Sequence, residues 1–101
     1  MQTNRDFKLV AVSGGFDPIH PGHIALMQEA KKLGDKLAVI VNDDDFLMRK
    51  KGYVFMKLED RIKVIEALGC VDMVYPAIDK DNTVCRSLEA LQPDIFANGG
   101  D

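Results

Sequence analysis

The sequence predicts an α/β fold, in which helices pack in layers on a parallel sheet of about four strands. Strand-like and helix-like segments alternate along all 101 residues, and this order is typical of parallel strands joined by right-handed crossovers. The run Leu-Ala-Val-Ile-Val at 37–41 is continuously apolar, as expected for a strand that is covered on both faces. We therefore expect a single three-layer domain that spans residues 1–101.

The predicted elements follow one another in a regular order. Strands are expected at 8–13, 36–42, 71–75 and 94–97, and helices at 21–33, 58–68 and 82–91. Glycine is common just after a helix, so Gly34 and Gly69 are placed as the ends of the first two helices. Pro76 is expected to stop the third strand. Asp81 or Asn82 is the candidate N-cap of the last helix.

The composition excludes several classes of protein. A net charge of −3 argues against a general nucleic-acid binder, which is usually basic. No apolar run approaches the ~20 residues of a membrane span, and residues 1–6 lack the apolar stretch of a signal peptide. Cys70 and Cys85 lack the clustering of a disulfide framework or a zinc site and are expected in or near the core. The sequence thus favours a cytoplasmic protein that binds neither nucleic acid nor membrane.

The segment from Gly14 to His23 carries the strongest functional pattern. Gly14 and Gly15 fall on a strand-to-helix turn, where glycine lets the backbone approach a ligand closely and expose its N–H groups. The helix that follows presents further N–H groups and the positive end of its dipole. His20 and His23 are three residues apart at that helix start and can point the same way. The pattern predicts an anion site with two side-chain donors, which suits a triphosphate.

These residues resemble a known superfamily along nearly the whole chain. His20-Pro21-Gly22-His23 is similar to the HxGH signature of the nucleotidylyltransferases, and Gly14-Gly15-Phe16-Asp17 is similar to the turn that precedes it. The segments at 32–37, 58–61, 67–72 and 93–101 also resemble the cytidylyltransferase-like members, which include glycerol-3-phosphate cytidylyltransferase and the heptose-1-phosphate adenylyltransferase domain. The resemblance implies a Rossmann-like fold.

The resemblance also implies an activity. Such enzymes transfer CMP or AMP from CTP or ATP to a phosphorylated small molecule, here a polyol phosphate or a sugar phosphate, and release pyrophosphate. Mg²⁺ would accompany the triphosphate. Two alternatives remain open at this point: a nucleotide-binding module without turnover, and an adenylyltransferase of the nicotinate-mononucleotide or phosphopantetheine type, whose opening motif is similar.

Roles for individual residues follow from the same resemblance. His20 and His23 would lie near the α- and β-phosphates, with helix capping as the alternative. Lys50 would reach a phosphate of nucleotide or acceptor, although the charge run at 49–51 also suits a solvated surface. Arg61 would lie near the nucleotide, and its alternative is an exposed ion pair at a helix start. Replacing either histidine is expected to change stability little.

The turn and the chain end supply further nucleotide-contacting candidates. Gly14 and Phe16 belong to the turn, and Gly15 stands where the family often has a side chain, so only backbone donors remain there. Asp17 would either help to hold Mg²⁺ or stabilise the loop by accepting backbone N–H bonds. Gly99 and Asp101 would contact the nucleotide.

Residues 43–53 are acidic, then basic, and are expected to form a loop with at most a short helical turn. The three aspartates at its start would orient a sugar hydroxyl or simply make a soluble turn, and the soluble turn is favoured.

The family continues beyond the point at which this chain stops, into a fifth strand and a Ser/Thr-rich helix start. The strand at 94–97 is therefore expected at a sheet edge, where its unpaired backbone groups favour a homodimer or other association. The 101 residues alone are expected to bind nucleotide weakly and to turn over slowly.

Overall fold

A computed structural model describes residues 6–79 and 84–97. It contains four strands and four helices in the order β1 (Leu9–Gly14), α1 (Pro21–Lys31), β2 (Lys36–Val41), α2 (Asp44–Lys51), α3 (Leu58–Glu66), β3 (Met73–Pro76), α4 (Cys85–Leu91) and β4 (Ile95–Phe96). The strands form one parallel sheet in the order β3-β2-β1-β4. The predicted α/β fold with four parallel strands is confirmed.

The register of the sheet brings three strand ends to one level. Gly14 at the end of β1 pairs with Val41 at the end of β2, and Val41 pairs with Pro76 of β3. The backbone continues the ladder, since the N–H of Asn42 donates to the Gly14 carbonyl at 2.9 Å. The segments that leave β1 and β2 therefore begin side by side, at the edge where open α/β sheets bind ligands.

One face of the sheet carries the main core. Alternate residues of β1 and β2 pack there against Met27 and Ala30 of α1 and Ile65 of α3, and all of them are buried. The other face of β2 is also covered, because Ala38 and Ile40 are buried as well. The continuous apolar run thus forms a strand covered on both faces, as predicted.

The segment at 43–53 is the clearest departure from the prediction, because most of it forms α2 rather than a loop. The Asp43 side chain accepts a hydrogen bond from the Phe46 N–H at 2.8 Å and caps the helix, while Gly52 ends it with φ of 82°. The acidic residues occupy the first turn and the basic residues the last. That arrangement complements the helix dipole, so the switch of charge marks a helix.

Smaller differences concern the ends of elements. The last helix begins at Cys85 rather than at 82, β3 begins at Met73 rather than at 71, and β4 is only two residues long. The candidate caps Asp81 and Asn82 lie outside the described residues. Cys70 packs against the core as expected, but Cys85 is exposed and its core placement was wrong.

The described residues include no helix that is both long and apolar enough to span a membrane.

Candidate active site

The turn between β1 and α1 is held by the ring of Phe16. This residue adopts φ of 52° and is buried, and its ring lies directly over Gly14. A Cβ added to Gly14 would stand only 2.9 Å from Cζ of Phe16, so the turn requires a glycine there. The same ring meets His23 edge to face, with centroids 5.2 Å apart. Phe16 thus fixes the path of the turn and one of the two histidines.

The two histidines form the N-terminal cap of α1. Nδ1 of His20 accepts from the N–H of Gly22 at 3.0 Å, and the N–H of His20 donates to Nδ1 of His23 at 3.2 Å. This reciprocal pair is a capping box built from histidines. Since each Nδ1 accepts a hydrogen bond, each neutral ring carries its proton on Nε2. The ring centroids are 3.8 Å apart, so two Nε2–H donors lie next to each other.

Capping therefore does not exclude ligand binding here, because the cap uses the Nδ1 atom of each ring. His20 is exposed and His23 is half-buried. Both line a pocket of about 380 Å³ between the turn and α2. The pocket is also lined by Gly15, Phe16, Asp17, Phe46, Leu47, Lys50 and Lys51.

The two lysines at the end of α2 differ in their contacts. Nζ of Lys51 donates to the main-chain carbonyl of Asp17 at 2.6 Å and lies 3.4 Å from its carboxylate. It also lies over the ring of Tyr53, 4.7 Å from the centroid. Lys50 is exposed along the pocket, with Nζ 5.7 Å from the centroid of Phe46. Lys51 is thus part of the scaffold of the turn, whereas Lys50 lines the pocket with an exposed side chain.

The carboxylate of Asp17 holds a neighbouring loop. Its oxygens accept from the N–H groups of Phe55 and Met56, both at 2.6 Å, and its side chain is fully buried. These contacts match the loop-stabilising alternative for this residue. They do not suit a magnesium ligand, since the oxygens already face two N–H groups and an ammonium. In the part of the chain that the structure describes, no group of three or more His, Cys, Asp or Glu side chains could hold a metal ion.

Arg61 ties together the backbone on which the pocket rests. Its side chain is 1% exposed, and Nη1 donates to the carbonyls of Gly15 at 2.8 Å and Asn42 at 2.6 Å. Nε donates to the carbonyl of Met56 at 2.8 Å, and Nη2 pairs with Asp44 at 2.7 Å. The expected exposed ion pair is wrong, because this arginine is buried. Its guanidinium joins the ends of β1 and β2 to α2 and to the loop before α3.

The spacing of Arg61 from Ile65 is a sequence signal that could have indicated the burial of Arg61. Arg61 and Ile65 are four residues apart and both are buried, so Arg61 lies on the core-facing side of α3. The aspartates after β2 also have structural roles in place of a soluble turn. Asp43 caps α2, and Asp44 accepts from Leu58 N–H at 3.0 Å in addition to Arg61.

The structure brings most of the predicted site residues together, but not all of them are described. Gly14, Gly15, Phe16 and Asp17 form the turn, and the histidines and Lys50 face the same pocket. Gly99 and Asp101 lie outside the described residues. Sequence reasoning missed Phe46 and Leu47, which line the pocket from α2, because the helix itself was not expected.

The family model for cytidylyltransferase-like proteins matches residues 11–101. The chain belongs to the cytidylyltransferase-like family. It is 44% identical over 95 residues to the bifunctional protein HldE of Streptomyces coelicolor. This match covers 92% of this chain and 20% of that protein. It is 40% identical over 99 residues to the bifunctional protein HldE of Haemophilus influenzae, again spanning 20% of the relative. The chain thus spans about a fifth of the length of these curated relatives.

A solved structure supports the same placement. The lipopolysaccharide core biosynthesis protein from Thermoplasma volcanium superposes with a TM-score of 0.82 at 30% identity. The match covers 89% of this chain and 72% of that one. The sheet order and the turn described above therefore belong to a fold shared with this family.

Proposed function

We propose that this domain transfers a nucleotidyl group from ATP or CTP to a phosphorylated sugar and releases pyrophosphate. The observation that carries the proposal is that His20, His23 and Lys50 line one pocket beside the start of α1. Three side-chain donors around the N-terminus of α1 suit a ligand with several negative charges.

The reaction balances without a covalent enzyme intermediate. An oxygen of the acceptor phosphate attacks the α-phosphorus of the triphosphate and forms a new P–O–P bond. The bond from the α-phosphorus to the oxygen that bridges it to the β-phosphorus breaks, and pyrophosphate leaves with the electron pair. Such a step needs positioning and charge stabilisation more than nucleophilic help. The two Nε2–H groups would meet the growing charge on the α- and β-phosphates, and Lys50 would bind a phosphate oxygen.

The wider assignment rests on the relatives. The HldE proteins and the lipopolysaccharide core biosynthesis protein favour a sugar phosphate over a polyol phosphate as acceptor. Mg²⁺ would enter as the complex of the triphosphate, since the described side chains offer no cage for it. We also propose that the protein works in the cytoplasm, where both phosphorylated substrates are available.

A two-stage experiment tests this function. Thermal unfolding is first measured with each of ATP, CTP, GTP and UTP in the presence of Mg²⁺, where a ligand at 100 times its Kd stabilises the protein by about 2.7 kcal/mol. The best triphosphate is then mixed with sugar 1-phosphates and with glycerol 3-phosphate, and pyrophosphate is assayed. Pyrophosphate release that depends on a sugar phosphate supports the proposal. Binding without release under any acceptor would reduce the domain to a nucleotide-binding module.

A further inference from the structure

Leu47 of α2 occupies the space in which a side chain on residue 15 would lie. A Cβ added to Gly15 would stand 2.8 Å from Cδ2 of Leu47, closer than two carbon atoms tolerate. Leu47 is only 3% exposed. Within α2, all of which the structure describes, it is also the one buried residue. The helix therefore rests on the turn through the packing of this leucine against the glycine opposite it, in addition to the contact of Lys51 with Asp17.

This contact determines where Lys50 stands. Lys50 follows Leu47 by three residues, so both side chains lie on the same side of α2. Both line the pocket that the histidines face. The start of the helix is held separately, by the Asp43 cap and by the pairing of Asp44 with Arg61. The end of the helix is attached to Asp17 through Lys51. Leu47 lies between these two attachments and next to Lys50 on the same side of the helix, so a change at this contact would shift the segment that carries Lys50.

We propose that Leu47 is a positioning residue that acts through Lys50: seated on Gly15, it holds α2 against the phosphate-binding turn and places the Lys50 ammonium at the pocket. The inference rests on the proposed function and deepens it, because it names what sets the distance between the lysine and the two histidines. Residues 15 and 47 then form one size-matched pair. A larger side chain at residue 15, without a smaller one at residue 47, moves α2 away from the turn. A smaller side chain at residue 47 alone leaves α2 loosely packed on the turn.

The test is a pair of double-mutant cycles in the protein that carries this domain. Leu47→Ala is expected to lower kcat/KM roughly 10- to 10²-fold, on the scale of a 1 Å misplacement, mainly through a higher KM. In a Lys50→Ala background the same change should have almost no further effect, because the lysine that it positions is gone. Leu47→Met, which conserves the volume, should restore most of the activity.

The second cycle uses the glycine. Gly15→Ala should lower kcat/KM by pushing Leu47 away, and Gly15→Ala combined with Leu47→Ala should recover activity relative to the single Gly15→Ala protein. Leu9→Ala is the matched control, since Leu9 is buried at the amino end of β1, far from the pocket. It should lower the melting temperature without raising KM and without coupling to Lys50→Ala.

The outcomes separate this inference from the proposed function. Triphosphate affinity is measured by calorimetry for every variant beside turnover. If the wild type binds triphosphate but transfers nothing, the proposed function fails. The same two double-mutant cycles, measured as triphosphate affinity, still decide the role of Leu47. Effects of Leu47→Ala and Lys50→Ala that simply multiply would overturn the inference. So would a wild-type protein that binds no triphosphate, or a Gly15→Ala defect that Leu47→Ala fails to relieve.

Discussion

The Nζ atom of Lys51 donates to the main-chain carbonyl of Asp17 at 2.6 Å and lies 3.4 Å from the carboxylate of the same residue. This double contact attaches the end of α2 to the turn between β1 and α1. It gives Lys51 a structural role, whereas the adjacent Lys50 lines the pocket. Neighbours that are equivalent in the sequence are not equivalent in the site.

Replacing each of the two lysines by alanine separately should reveal this difference in role. Lys50→Ala is expected to raise the KM of triphosphate or acceptor, because its proposed contact is with a ligand. Added salt should mimic part of that loss. Lys51→Ala should instead lower the melting temperature, because it removes a contact that holds the turn. Steady-state kinetics with thermal unfolding decide this. If both changes had equal and negligible effects, the charge run at 49–51 would be a solvated surface with no role in ligand binding.

The two nitrogen atoms of His20 allow its two roles to be separated. His20→Asn keeps a side-chain acceptor at the N-cap, where asparagine is favoured, but removes the Nε2–H donor. It is expected to retain stability and to lose about 10²- to 10³-fold in turnover, the scale for one preorganised donor. His20→Ala should lose the same activity and also about 1 kcal/mol of stability through the cap.

Chemical denaturation and pyrophosphate assays on both His20 variants provide the check. The sequence alone predicts little change in stability, whereas the cap, in which Nδ1 accepts from Gly22, predicts a loss for His20→Ala. Full turnover in His20→Asn would remove His20 from the reaction and leave it a helix cap only.

Sequence reasoning predicted the sheet and the histidine turn well because both depend on local signals. The apolar run of β2 and the glycine-histidine turn can each be recognised from a stretch of at most about ten residues. The burial of Arg61 was not expected because its partners Gly15 and Asn42 are 46 and 19 residues away in the chain. No local pattern reports that three carbonyls and a carboxylate converge on one guanidinium. The second helix was missed for a related reason, since its charges suggested solvent while its single buried residue, Leu47, faces a glycine far from it in sequence.

Asp72 should make part of the stability depend on pH. Burial by itself raises the pKa of its carboxyl, but the hydrogen bonds from Lys31 Nζ at 2.6 Å and Leu37 N–H at 2.8 Å, with the charges of Lys31 and Lys36, outweigh burial and leave the pKa below its ordinary 3.8. A lowered pKa means that the folded state favours the carboxylate. Its contribution is therefore complete above about pH 5 and is lost as the pH falls through and below 3.8.

Urea unfolding between pH 3 and pH 7 measures this effect. Asp72→Asn keeps an acceptor for the Leu37 N–H but removes the charge, so its stability should fall less steeply in acid than that of the wild type. Glu29→Gln is the control, because the carboxylate of Glu29 forms an exposed pair with Lys32. Parallel pH profiles for wild type and Asp72→Asn would show that the carboxylate charge contributes nothing.

We predict that any association of this chain uses the β4 edge of the described sheet rather than the β3 edge. β3 ends at Pro76, which has no backbone N–H to offer a partner strand, whereas β4 carries the exposed ring of Phe96. Phe96→Lys is expected to shift the protein towards the monomer in sedimentation experiments. Tyr75→Lys, at the exposed aromatic residue of the opposite edge, is the matched control and should leave the distribution unchanged. A monomeric wild type, or dissociation only by Tyr75→Lys, would contradict this assignment.

The most direct test of the proposed reaction is ³¹P NMR of the protein with Mg²⁺, ATP or CTP, and a sugar 1-phosphate. We predict that one triphosphate is consumed, that pyrophosphate appears in equal amount, and that a new P–O–P pair of resonances marks the nucleotide-activated sugar. His20→Asn and Lys50→Ala should slow all three changes together. Spectra in which the triphosphate stays intact with every sugar phosphate, or loses only its terminal phosphate, would contradict nucleotidyl transfer by this site.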